Sequence, residues 1–131
     1  MATFWYQYST PKPVPAPLAR LSSPPQDETW LCSWCLNHVA DEMDRFTISG
    51  ADELTFVNPA GKRFKIITFK RAPGCAQRGA PTFKQTWFPG FAWTYSVCRR
   101  CGTQLGWKYL GHGEFYGLIK DRLVRGSLVW N

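Results

Sequence analysis

Four of the five cysteines stand in two pairs, Cys32-Ser-Trp-Cys35 and Cys98-Arg-Arg-Cys101, with 62 residues between them. A C-x-x-C turn places both sulfurs within reach of one ion. Two such turns supply four thiolates, the tetrahedral set that structural zinc prefers. Gly102, directly after the second pair, suits the tight knuckle such turns adopt. Two disulfides or a redox dithiol are the competing readings. The opening residues, Met1-Ala-Thr-Phe-Trp-Tyr-Gln-Tyr, lack a basic stretch followed by an aliphatic one. No secretory signal is therefore expected, which weakens the disulfides and points to the cytoplasm. One redox pair would also leave the other pair unexplained. The expectation is one structural Zn²⁺ on Cys32, Cys35, Cys98 and Cys101, closed to catalysis because every ligand position is filled. Cys75 is left over in Ala72-Pro-Gly-Cys-Ala-Gln, with neither His38 nor His112 nearby, and reads as a bystander in a loop.

A second group of residues could bind a ring. Between Gln85 and Tyr109 three tryptophans flank the second knuckle: Trp87, Trp93 and Trp107. Trp87 and Trp93 bracket Pro89-Gly90, a turn across which they can face each other. Trp107 and Tyr109 follow on the next strand. Large aromatics often just fill a core, but each buried indole N–H then needs a partner. If the two strands pair, three or four rings can line one concavity.

Charge narrows what such a concavity would accept. The formal net charge is +7, and seven of the nine acids lie between Asp27 and Glu53. From Leu54 to Gly113 there is no acid, but ten basic residues. A solvated basic face is the plain explanation; an anionic partner, or a pocket that rejects cations, is the sharper one. Four thiolates and one divalent ion bring the charge to +5, and Arg99 and Arg100 inside the second turn can offset that cluster.

The elements that must position these groups are short strands. Thr29–Cys32 leads into the first knuckle, and Leu54–Val57 runs into a turn marked by Asn58-Pro59 and Gly61. Phe64–Phe69 is a β-rich apolar run. In Trp93-Thr-Tyr-Ser-Val the apolar residues alternate, so Trp93, Tyr95 and Val97 share a face. Gly106–Leu110 puts Trp107 and Tyr109 together, and Glu114–Lys120 forms a last strand. Brief turns are expected at 40–46 and 119–124. Six of the ten prolines fall within the first 25 residues. Residues 1–27 therefore read as a Pro-rich extension and residues 28–131 as the domain. At 131 residues and 44% apolar content a single all-β domain is expected, and no apolar run approaches the ~18–20 residues of a membrane span.

Taken in order, Trp87-Phe88-Pro89-Gly90-Phe91-Ala92-Trp93, Cys98-x-x-Cys101 and Gly106-Trp107-Lys108-Tyr109 resemble the CULT-domain family, the thalidomide-binding domain of cereblon. Phe56-Val57-Asn58-Pro59-Ala60-Gly61 resembles the family's Asn-Pro-x-Gly turn. Tyr116-Gly117-Leu118-Ile119-Lys120-Asp121-Arg122-Leu123 is similar to its closing strand in single-domain bacterial members. The match covers roughly residues 28–125, and its motifs are specific in combination rather than singly. It implies a β-tent, two antiparallel sheets pinned by one zinc ion, a fold shared with methionine sulfoxide reductase B. It also implies a non-enzymatic pocket for cyclic imides: glutarimide or succinimide rings, thalidomide-type drugs, proteins ending in a C-terminal cyclic imide, and uracil or uridine. Trp87, Trp93 and Trp107 would form walls and Tyr109 the base. The carbonyl of Gln85 and the amide and carbonyl of Trp87 would bond the imide, with Asn58 and Pro59 at the rim.

The departures are few. Gln85 stands where vertebrate members carry His, Lys84 where they carry an acid, and Tyr109 where they carry Phe. Nothing in the sequence matches the Lon-like domain or the surface that contacts a ubiquitin-ligase adaptor. Two alternatives stay open. Basic and aromatic residues together also suit an RNA end or a single strand of nucleic acid. A methionine sulfoxide reductase would need Cys75 as nucleophile, and Cys75 lies in a Pro-Gly loop.

Overall fold

The computed structural model describes residues 28–129. The expected extension at 1–27 lies outside the described residues. Among the described residues nine strands follow one another: β1 (Thr29–Cys32), β2 (His38–Asp41), β3 (Leu54–Val57), β4 (Arg63–Phe69), β5 (Cys75–Thr82), β6 (Ala92–Cys98), β7 (Gln104–Leu110), β8 (Glu114–Ile119) and β9 (Leu123–Arg125). Short 3₁₀ turns at Glu42–Asp44 and Lys120–Arg122 fall inside the two segments where brief turns are expected.

Every pairing is antiparallel, in two sheets. The small sheet has the order β2-β1-β9 and the large one β3-β4-β8-β7-β6-β5. This is the expected β-tent. Three strands escape sequence reading. β5 contains Gly79-Ala-Pro81 and reads as a loop, yet it occupies the sheet edge, where proline costs no ladder bond. β2 and β9 are only four and three residues long, too short to show alternation.

The two faces of the large sheet do different work. One packs on the small sheet through Trp30, Val39, Ile67, Phe69, Leu105 and Leu118. The other gathers Phe64, Ile66 and Ile119 against Trp87 and Trp107. That explains why Phe64–Phe69 is apolar without alternation: from Ile66 to Phe69 the central strand β4 is buried on both faces. Trp30 shows how an inter-sheet indole is satisfied. Its Nε1 donates to Glu42 at 2.7 Å, and the Arg125 guanidinium lies 4.7 Å over its ring.

A bulge between β6 and β7 re-aims the side chains at the knuckle. Ser96 pairs with Gly106, but Val97 pairs with Gln104. Leu105 is thereby sent into the inter-sheet core while Gln104 and Trp107 border the opposite side. Gly106 lies so close to β8 that a Cβ would stand 2.3 Å from the Gly117 carbonyl oxygen.

Candidate functional site

The cysteine cluster ties the sheets together. The two knuckles share one hydrogen-bond pattern. Leu36 N–H donates to Cys32 O (2.8 Å) and Cys32 N–H to Asn37 O (2.8 Å). Gly102 N–H donates to Cys98 O (2.9 Å) and Cys98 N–H to Thr103 O (2.7 Å). Both turns need a left-handed residue after the second cysteine, and there Gly102 has φ 80° and Leu36, against its β-branching-free but still costly side chain, φ 65°.

The four sulfurs lie within 4.8 Å of one another, Cys32–Cys101 at 3.7 Å and Cys35–Cys98 at 3.6 Å. Four sulfurs each about 2.3 Å from one ion stand about 3.8 Å apart in a tetrahedron, so the cluster could hold a metal ion of zinc's size. Such an ion would act as a cross-link between β1 and β6. Asn37 Nδ2 donates toward Cys98 Sγ at 3.7 Å, and the Thr103 hydroxyl sits 3.1 Å from Cys101 Sγ. With no ion, contact with the Cys32 thiol pulls Cys98 down to about 4, and the same contact pushes Cys32 up. Burial pushes Cys35 up to about 11. Arg99 does more than balance charge: its side chain donates to the carbonyls of Pro73 and Cys75 and so straps the knuckle to the 73–75 segment.

Cys75 is not a loop residue. It opens β5 opposite Cys98, is 2% exposed in the inter-sheet core, and burial pushes its thiol up to about 12.

On the far face of the large sheet lies a cavity of about 350 Å³. All seven residues expected around a ligand line it: Asn58, Pro59, Gln85, Trp87, Trp93, Trp107 and Tyr109. β6 and β7 do pair, setting Trp93 opposite Tyr109 and Tyr95 opposite Trp107. Trp107 meets Trp87 edge-on at 4.9 Å, and Phe64 touches both. Trp87 also stacks on Phe56 at 4.8 Å, nearly parallel. Tyr109 packs on Phe88 and Phe115, over Gly117, whose missing side chain leaves room for its ring. It is 2% exposed, burial raises its pKa, and its hydroxyl bonds no described residue.

Local bonds hold the rim. In the β3–β4 turn the Asn58 side-chain oxygen accepts from Ala60 N–H (3.0 Å) and Lys62 N–H (2.9 Å). Across the cavity the 83–91 loop is tied to itself and to β6. Trp93 Nε1 donates to Lys84 O at 2.8 Å, and the Thr86 hydroxyl donates to Phe91 O at 2.7 Å. Gln85 is held at φ 52°, a left-handed conformation unusual for its side chain. The Gln85 carbonyl and the Trp87 amide and carbonyl make no hydrogen bond to any described residue.

Sequence reading missed several lining residues. Phe64 and Ile119 were hidden in apolar runs that serve both faces of the sheet. Gln104 and Arg122 carry no motif signal; the β6–β7 bulge and the Lys120–Arg122 turn bring them in.

A β-tent with a Cys₄ cluster and an aromatic cavity defines a class, and comparison with known proteins names it. No protein-family model matches the chain. Protein cereblon of Xenopus tropicalis is 33% identical over 103 residues, which is 70% of this chain and 23% of that protein. Protein cereblon of Gallus gallus is 35% identical over 75 residues, 53% of this chain and 17% of that protein. Protein cereblon of Drosophila willistoni is 30% identical over 114 residues, 80% and 19% respectively. The chain thus spans about a fifth of the length of these curated relatives. It is a cereblon-like (CULT) domain. Among the described residues no helix is long and apolar enough to cross a membrane.

Proposed function

We propose that the aromatic cavity binds cyclic imides and uracil-like rings, without chemistry, and that the cysteine cluster holds one structural Zn²⁺. The observation that carries this reading is the meeting of three indoles with unbonded backbone groups at Gln85 and Trp87. A flat imide edge offers one N–H between two carbonyls. Backbone groups can match that edge, and apolar walls strengthen each bond by excluding water. Among the described residues the cavity has no carboxylate in its lining, which disfavours methylammonium ligands that use similar aromatic boxes. A succinimide or glutarimide at a protein's C-terminus carries the same edge, so a partner so modified is within the proposal.

The reductase alternative finds no support: Cys75 sits in the inter-sheet core, does not line the cavity, and has a thiol held protonated by burial.

The test is the melting temperature with free glutarimide and with its N-methyl imide. Ligand at about 100 times its dissociation constant stabilises by roughly 2.7 kcal/mol, several degrees for a domain of this size. A shift with the free imide alone supports the reading. No shift at saturating ligand overturns it, and steeply salt-dependent RNA affinity in its place would favour the nucleic-acid alternative.

A further inference from the structure

Among the described residues the cavity's lining includes two cations, Lys84 and Arg122, and no acid. Elsewhere among these residues five cations meet carboxylates: Arg45 and Arg125 share Glu42, Arg71 faces Asp44, Lys108 meets Glu114 and Lys120 meets Glu53; Lys62, Arg63, Lys65, Lys70, Arg78 and Arg100 make no such pair and do not line the cavity. Lys84 and Arg122 have no such partner among the described residues. The acid-free stretch from Leu54 to Gly113 supplies most of the cavity, Lys84 included; Asp121 adjoins Arg122 in sequence but is exposed, does not line the cavity and makes no ion pair with it.

Arg122 is also held in place. Its carbonyl accepts from Ser33 N–H at 3.0 Å, which fixes the Lys120–Arg122 turn against the first knuckle. Its Nη1 donates to Gln104 O at 2.8 Å. The guanidinium is therefore anchored on a neutral carbonyl, and among the described residues its charge is uncompensated and its further N–H donors are unused. A half-buried arginine in that state is a receptor for a carboxylate or phosphate, whose geometry its planar fork matches. The neighbouring walls, Phe64, Trp87, Trp107 and Ile119, are apolar and screen the charge poorly, so its field is focused into the cavity.

We propose that the cavity selects rings that carry a negative substituent, carboxylate or phosphate, beside the neutral hydrogen-bonding edge. Arg122 and Lys84 supply the counter-charge. This rests on the reading of the cavity as a site for imide- and uracil-type rings, and it specifies which members of that class bind best.

The experiment is calorimetric titration of the zinc-loaded full chain with two matched pairs, uracil against orotate and uridine against uridine 5′-monophosphate. Glutarimide is the control. The anionic member of at least one pair binds about tenfold tighter or more at low salt, and the gap narrows as salt rises. Preference for orotate marks a carboxylate held on the ring itself, and preference for the monophosphate marks a tethered phosphate. In Arg122→Gln or Lys84→Gln the ratio within the preferred pair falls severalfold. If neither anion outbinds its neutral partner, or if glutarimide binds and none of the four does, the inference is overturned and the imide reading stands. A ratio unmoved by salt and by both substitutions overturns it as well. Should Arg122→Gln fail to fold, the salt dependence of the native ratio and the Lys84→Gln variant decide. If glutarimide and all four ligands fail to bind, the reading of the cavity itself is wrong.

Discussion

Gly106→Ala tests the link between fold and cavity. Gly106 sits in β7 opposite Leu118 of β8, in the middle of the six-stranded sheet. A Cβ there would stand 2.3 Å from Gly117 O and 2.8 Å from Leu118 Cα. Both are backbone atoms, so no side chain can swing aside. Restoring ordinary contact needs the strands to part by about 1 Å, since carbon contacts are comfortable only near 3.5 Å. Hydrogen bonds stretched by that amount are lost, each worth about 1 kcal/mol net. Strain from the added methyl costs about 1–3 kcal/mol more. The expected total is about 3 kcal/mol, or more than about 10 °C in melting temperature for a domain near 100 residues. The same displacement splits the cavity, because Phe64 and Ile119 lie on β4 and β8 while Trp93, Trp107 and Tyr109 lie on β6 and β7. Imide affinity should fall with stability. Gly113→Ala is the control: its Cβ would meet nothing within 4 Å, and its cost should stay within about 0.5 kcal/mol. A Gly106→Ala protein that melts within about 2 °C of the native one would refute the argument.

Metal analysis should find one zinc per chain, and chelation should unfold the tent, because a structural Cys₄ zinc contributes on the order of 10 kcal/mol, comparable with a domain's whole stability; a chelated protein with an unchanged melt would contradict this. Since Cys32 and Cys35 hold their protons above neutral pH when no ion is bound, metal binding displaces at least two protons. Apparent zinc affinity should therefore fall at least about a hundredfold per pH unit below neutrality, and a shallower slope in a metal-buffered titration would argue against it. Cys75, buried and pushed up to about 12, should resist alkylation at mildly alkaline pH until the chain is denatured, and neither the native protein nor Cys75→Ser should reduce methionine sulfoxide. Tyr109→Phe removes a hydroxyl with no described protein partner, so the melt should hold while ring-ligand affinity drops about two- to tenfold; unchanged affinity would show that the phenol does not reach the ligand.

The cysteine cluster was legible in the sequence because C-x-x-C spacing is a local property. Two cysteines three positions apart can converge whatever else the chain does, and two such turns complete a tetrahedron. The paired strands carrying Trp93, Trp107 and Tyr109 were legible for a similar reason, since period-two alternation assigns faces without knowledge of partners. Those faces held in β6 and β7. All seven residues that the family motifs single out line the cavity, and spacing alone would not have singled out Asn58 and Pro59, a hairpin away.

Tertiary structure decided what alternation could not express. β5 was unreadable because an edge strand needs no apolar pattern, and its Gly79 and Pro81 follow loop statistics. Cys75 changed from bystander to core residue once β5 paired with β6 and turned its thiol inward. The bulge at Gly106 reversed the facing of Leu105 and Gln104, sending one to the inter-sheet core and the other to the cavity. Arg122 entered only because a short turn after β8 folded it back onto Gln104. Residue types and short spacings are set along the chain, but the identity of a face is set by which strand lies beside it, and that depends on partners dozens of residues away.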